Sequence, residues 1–175
     1  MRRRPIRAAA SLLALQVLTG CGFHPMYGSA TGGAMGPAET GLAEIAIEPL
    51  YERSGQLLHQ ALEERFERGG TGLARRYDLT VHYGVSGEAL GIEPDSSITR
   101  VRLLGSANWT LAAQDPQHTT LTSGTARALD GYNVLDEQVF ASDMENEVVQ
   151  GRIAEAIAEQ ITLQLAAWFN KHPGP

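Results

Sequence analysis

The chain has 175 residues, with 14 Lys and Arg against 20 Asp and Glu, a formal charge of −6. That length fits one domain, and the acidic balance argues against a general nucleic-acid binder. With one cysteine no intrachain disulfide can form, so stability must come from a packed core.

The N-terminus reads as a targeting segment. Arg2, Arg3, Arg4 and Arg7 precede an apolar stretch from Ala8 to Leu18, and Leu18-Thr19-Gly20-Cys21 follows. This is a basic region, a short hydrophobic region and small residues before a cleavage point. The apolar run is about half the roughly 20 residues that a membrane-crossing helix needs. The Leu-Thr-Gly-Cys ending resembles a lipobox. That resemblance implies diacylation of the Cys21 thiol, cleavage before Cys21 and acylation of its new amino group, so Cys21 is the expected lipid attachment site. Two or more acyl chains anchor a protein stably where one does not. Gly22, where sorting signals of retained lipoproteins place Asp, implies the outer membrane by the same resemblance. Removal of residues 1–20, with four of the basic side chains, leaves 155 residues with 10 basic against 20 acidic side chains, a formal charge of −10.

Residues 21–41 read as the lipidated N-terminus and a flexible tether. The run Gly28-Ser29-Ala30-Thr31-Gly32-Gly33-Ala34-Met35-Gly36-Pro37 has little to bury. A coil of about 14 residues spans roughly 20 Å. The folded domain is expected over residues 42–170, with 171–175 as a tail.

Leu42 to Glu48 alternates, with Ala43, Ile45 and Ile47 on one face, and predicts a strand closed by Pro49. Ser54 is the expected N-cap of a following helix. Leu57, Leu58, Ala61, Leu62 and Phe66 recur at helical spacing, and Gly69-Gly70 closes that helix. Tyr77, Leu79, Val81, Tyr83 and Val85 then alternate with polar residues, the clearest period-2 run in the chain. A turn at Glu93-Pro94-Asp95-Ser96 leads to a second such strand. Its inward set is Val101, Leu103, Ala107, Trp109 and Leu111, with Arg100, Arg102, Ser106, Asn108 and Thr110 on the other face. After a turn at Gln114-Asp115-Pro116-Gln117, Thr119 to Asp130 forms a third, with Leu121, Arg127 and Leu129 on one parity. These three strands are expected to form an antiparallel meander.

A long helix is predicted from about Ala141 to Phe169. Val149, Ile153, Ile157, Ile161, Leu165 and Trp168 make its apolar stripe. The element order is β-α-β-β-β-α, and both helices are apolar on one side only. The expected fold is α+β, a two-layer sandwich of a four-stranded sheet with two helices on one face.

Cys21-Gly22-Phe23-His24-Pro25-Met26-Tyr27-Gly28 resembles the mature N-terminus of the LptE family of lipopolysaccharide-assembly lipoproteins. The order of elements, Arg53-Ser54-Gly55-Gln56-Leu57 at the first helix and Tyr77-Asp78-Leu79 at the second strand resemble that family too. The resemblance implies an outer-membrane protein seated in the lumen of the LptD β-barrel. There it would plug the barrel, assist its assembly and contact lipopolysaccharide, without covalent chemistry and without a cofactor.

The side chains bear on that expectation. Barrel interiors are polar, and the outer strand parities are Thr, Ser, Asn, His and Arg. Arginine forks bind phosphate bidentately. Arg100 and Arg102, two apart on a strand, share a face. With Arg75 and Arg76 near a neighbouring strand end they are the candidate phosphate-binding set, the alternative being solvated arginines paired with acids.

No catalytic or metal set is expected. His24, His59, His82, His118 and His172 are scattered, and with one cysteine a dedicated zinc site is not indicated. Neither a Gly-x-Ser-x-Gly elbow nor a Walker loop occurs. Asp136, Glu137, Asp143, Glu145 and Glu147 suit the positive end of the last helix better than a cation. Trp109 and Trp168 are expected in the core or an interface. The competing functions are an auxiliary lipoprotein of an ABC-type envelope transporter and a lipid-anchored periplasmic hydrolase.

Overall fold

The computed structural model describes residues 35–67, 72–92, 98–134 and 139–173. Its elements are α1 (Pro37–Ala43), β1 (Ile45–Ile47), α2 (Glu52–Phe66), β2 (Tyr77–Ile92), β3 (Ile98–Ala113), β4 (Thr120–Asn133) and α3 (Val139–Lys171). The sheet order is β1-β2-β3-β4. β1 runs parallel to β2, while β2, β3 and β4 form an antiparallel meander. The α+β class, the four-stranded sheet and the helices packed on it agree with the sequence reading.

Alternation on the three long strands sets two faces. Leu79 and Val81 of β2, Leu103, Ala107, Trp109 and Leu111 of β3, and Ala126 of β4 are buried under the helices. Val149, Ile153, Ile157, Ile161 and Leu165 form the facing stripe of α3, and Leu58, Leu62 and Phe66 that of α2. Their burial removes apolar surface from water and is the main stabilising term. Among the described residues no helix covers the opposite face of the sheet.

Glycines set how close α3 lies to the sheet. A Cβ on Gly105 would stand 2.9 Å from Ile157 Cδ1 and closer still to Ile153 Cγ2. On Gly124 it would stand 2.6 Å from Gln164 Oε1 of α3 and from Trp109 Cζ2 of β3. A strand glycine at close approach is the recognised use of the residue.

Three sequence expectations need correction. The tether does not extend to residue 41: Pro37–Ala43 is a helix, with Ala38 and Leu42 buried. Proline at the first helical position suits its fixed φ, and Gly41 lies directly against the Phe169 ring. The first strand is consequently shorter, Ile45–Ile47 instead of Leu42–Glu48. Ser54 does not cap α2. The cap is Tyr51, without a side-chain hydrogen bond, and the helix starts at Glu52. The tight approach of Leu50 to Gly55, 3.1 Å from a Cβ there, shows how closely the entering chain packs on that first turn. The Gly69-Gly70 stop and the Glu93–Ser96 turn lie outside the described residues.

Candidate functional site

The lipid attachment site expected at Cys21 lies outside the described residues. Residue 35 enters at one end of the sheet, beside α1, Tyr77 and Phe169, whose rings are 5.3 Å apart. This is the near end. The far end holds the last residues of β2 and β4, the start of β3 and the first turns of α3.

The four candidate arginines divide between these ends. Arg75 and Arg76 precede β2 at the near end. Arg75 Nη1 donates to the carbonyls of Ala43, 2.9 Å, and Ile45, 2.8 Å, and so ties α1 to β1. Arg76 lies 3.7 Å from Glu44 and over the Tyr77 ring, 5.9 Å from its centroid. Arg100 and Arg102 stand at the far end, on the helix-free face as their parity requires. Arg102 is the cross-strand partner of Glu88 and bonds it at 2.5 Å. Tyr77 and Glu88 are 11 residues apart on β2, about 36 Å at roughly 3.3 Å per residue. The two pairs therefore do not make one patch. Arg75 is a structural tie, and Arg100 and Arg102 are the members that face solvent on the open sheet.

Three residues outside the candidate set join them there. Leu104 and Leu129 are cross-strand partners on the open face, 38% and 63% exposed. Arg127 follows on the same parity of β4, exposed, two residues from Leu129. The far half of the open face is thus a leucine pair with Arg100 and Arg102 on one side and Arg127 on the other. An apolar exception, Leu104, among Arg100, Arg102, Ser106 and Asn108 was the sequence signal for it.

The assignment of faces on β4 explains why Leu129 is outside. Even residues face α3 there, and they are small: Gly124, Ala126 and Ala128. The close approach of α3 leaves no room for leucine there, so Arg127 and Leu129 take the open face, while Leu121, at the irregularity between Leu111 and Ala112, packs against the core instead of sharing their face.

Behind the sheet at the same end, a cleft of about 430 Å³ lies between β4 and the start of α3. Tyr132, Asn133, Met144, Val148 and Arg152 are among its walls. Arg152 is engaged, donating to Asp130 at 2.6 Å. That bond, ahead of the backbone N–H of Gly131, holds the Asp130 carboxyl below its ordinary range.

Other expected sites resolve as follows. Among the described residues no three His, Cys, Asp or Glu side chains converge on a cation position. Glu147 of the acidic cluster is ion-paired with Arg53 of α2. Asp136 and Glu137 lie outside the described residues. Trp109 is core, and Trp168 packs against the core and stacks on His172, 4.7 Å between centroids. Among the described residues two buried polar atoms, Tyr83 Oη and Trp109 Nε1, find no hydrogen-bond partner. Burial raises the Tyr83 phenol to about 12. Among the described residues no helix is long and apolar enough to cross a membrane.

The fold is that of small bacterial lipoproteins. A candidate lipoprotein from Caulobacter crescentus CB15 matches with a TM-score of 0.60 and 25% identity, over 77% of this chain and 98% of that one. Rare lipoprotein B from Shewanella oneidensis matches at 0.52 and 12% identity, over 70% and 92% of the two chains. An uncharacterized lipoprotein B from Nitrosomonas europaea matches at 0.51 and 16%, over 71% and 81%. At such identities the last two carry the fold alone. No curated protein matches the chain. The family model described as LptE, lipopolysaccharide-assembly, matches residues 42–165. The chain belongs to the LptE family.

Proposed function

We propose that this protein is a lipid-anchored outer-membrane subunit that sits in the LptD β-barrel, assists its assembly and contacts lipopolysaccharide on the way to the cell surface. Family membership supports the lipopolysaccharide-assembly role. The observation that carries the contact is the far half of the open face, where Arg100, Arg102 and Arg127 flank Leu104 and Leu129. Lipopolysaccharide joins clustered phosphates to acyl chains. Guanidinium forks suit the phosphates, and the exposed leucines suit the first methylenes of the chains. The Glu88 carboxylate already on Arg102 would be exchanged for phosphate, at small cost for so exposed a pair.

The rest of the open face fits a polar barrel lumen. Thr80, His82, Ser86, Asn108, Thr110, Ser123 and Thr125 present polar side chains on the face that no helix covers among the described residues. The action is binding and positioning. Anchoring is assigned to acylated Cys21, with the chain between it and residue 35 as the tether.

The test is site-specific photo-crosslinking of the full-length lipoprotein in its native envelope. A photoreactive residue at Leu129 should crosslink lipopolysaccharide several-fold more than one at Thr110, on the near half of the same face. Combined Arg100→Glu and Arg102→Glu should abolish most of that signal while thermal unfolding stays put. Equal crosslinking at the two positions, or indifference to charge reversal, would refute the contact.

A further inference from the structure

The sheet has two edges, and the protein itself closes one of them. On β4 the odd residues turn their backbone groups outward, and α3 covers the middle of that edge. Gln160 accepts from Arg127 N–H at 3.2 Å and donates to Arg127 O at 2.9 Å, and Gln164 donates to Thr125 O at 3.0 Å. Side-chain amides there replace a neighbouring strand.

The β2 edge is left open past its first residues. β1 pairs only with Tyr77, Asp78 and Leu79, and the last bond of that ladder runs from Glu48 N–H to Leu79 O, 3.0 Å. Pro49 follows. On the inner side Arg76 O accepts from Gln114 N–H at the β3 end, 2.9 Å. The even residues of β2 therefore turn to β3, and the odd ones turn outward. Val81, Tyr83, Val85, Gly87 and Ala89 offer five N–H and C=O pairs, and none has a partner among the described residues. The run carries no lysine or proline to deter pairing.

The chain leaving β1 adds a second observation. Tyr51, four residues past Ile47, is 84% exposed. It precedes Glu52, whose φ of 66° is left-handed and strained for a glutamate. Glu48 and Glu52 on the same stretch are exposed, and neither has an ion-pair partner among the described residues. On the helix face of the free run, Tyr83 and Val85 are half-buried and leave an apolar margin.

We infer that an extended segment of the polypeptide surrounding the domain adds to this edge as a fifth strand. The inference rests on the seat in a barrel lumen proposed above, and it names the part of the domain that holds the barrel's chain. The edge dictates the chemistry of the segment. Its main chain makes about ten backbone hydrogen bonds, two for each outward residue. Its side chains alternate, apolar ones covering Tyr83 and Val85 and short polar ones beside His82, Gly84 and Ser86. A lysine or arginine at its end nearest β1 meets the uncompensated Glu48 and Glu52, and Tyr51 is the aromatic anchor of that end. Glu88 stays with Arg102, because its backbone turns to β3, so the lipopolysaccharide contact is untouched. A single copy of each chain satisfies the whole arrangement.

Photo-crosslinking of the full-length lipoprotein in its native envelope reads the pairing. Photoreactive residues replace His82, Gly84 and Ser86 in turn, which share one face of the free run, and a Cβ at Gly84 meets open space. Paired strands match residue for residue. The three positions should therefore capture residues two apart, in order, within one continuous segment of the barrel polypeptide. Gln60, on the exposed side of α2, and Thr110 serve as reference positions away from the edge. Tyr51→Ala should cut the Gly84 crosslink several-fold, and so should Glu48→Lys with Glu52→Lys. These three positions are exposed, so thermal unfolding should stay put. Val85→Pro removes one outward N–H without touching the β3 ladder and should abolish the ordered capture while the Thr110 crosslink persists; Val85→Thr should retain both. Barrel crosslinks from Gln60 or Thr110, with none or none in order from the three edge positions, would overturn the inference and leave the barrel seat standing. No barrel crosslink from any position would overturn both.

Discussion

Gly105→Ala tests how the helix layer is held on the sheet. A methyl there would stand 2.9 Å from Ile157 Cδ1, and nearer to Ile153 Cγ2. Carbon pairs rest at about 3.5–4.0 Å, so α3 must withdraw by about an ångström or its isoleucines must leave their rotamers. Both isoleucines are fully buried in a stripe shared with Val149, Ile161 and Leu165, so neither has free space to enter. Overpacking of this kind costs about 1–3 kcal/mol. At roughly 2–4 °C per kcal/mol for a domain of this size, thermal unfolding should fall by about 2–12 °C. Ile153→Ala alone should cost about 2–5 kcal/mol by opening a cavity. The double variant should be more stable than the sum of the two changes by roughly 1 kcal/mol or more, because the alanine methyl then occupies the space left by Ile153. Calorimetry of the four proteins gives the cycle. An unchanged midpoint for Gly105→Ala, or strictly additive costs, would refute the close approach of α3 at Gly105.

Tyr83→Phe removes a buried hydroxyl without a partner. Unfolding should be unchanged or shifted up by about 1 kcal/mol, and a clear loss of stability would show a bond to Oη that the packing does not reveal. In a spectrophotometric titration Tyr83 should ionise near 12, and its signal should vanish in Tyr83→Phe. Asp130 has a carboxyl held below its ordinary range chiefly by Arg152. Its contribution is therefore present above the unfolded pKa of about 3.9 and lost as pH falls through the lower folded value. Asp130→Asn should unfold more easily than the parent at neutral pH, and the two should converge at the acid end of a pH series. Cys21→Ser should abolish incorporation of labelled fatty acid into the protein, and undiminished incorporation would refute lipid attachment at Cys21.

The fold was legible where one period ran without interruption. Tyr77 to Val85 alternates strictly, and Val149 to Leu165 keeps helical spacing, so strand and helix followed from burial of one side. α1 was hidden for the opposite reason. Its seven residues are too few for a periodic stripe, and the alternation of Ala43, Ile45 and Ile47 runs across its end, so it read as strand. It is held by packing of Gly41 on Phe169 and by Arg75 on the Ala43 and Ile45 carbonyls, contacts between residues far apart in sequence. The faces of β4 were ambiguous because Leu129 is on the solvent side, while Leu121, of the same parity, packs against the core past the irregularity in the ladder. That inversion follows from the closeness of α3 at Gly105 and Gly124, which no single-strand pattern carries.

The candidate site was half legible. Spacing placed Arg100 and Arg102 on one face, but it could not place Arg75 and Arg76 at the opposite end of a sheet whose strands reach 16 residues. Leu104 and Leu129 become a pair only through the β3–β4 register, which depends on a turn and an irregularity at Leu111 and Ala112. The open β2 edge is likewise a property of topology: it exists because β1 stops after three residues.

The most direct test of the account is affinity purification of the full-length protein from detergent-solubilised envelope of its native host, with every stoichiometric partner identified. The account predicts one large β-barrel recovered in about equal amount, with lipopolysaccharide bound to the complex. Recovery of an ATPase and a permease instead, or of no partner, would contradict it.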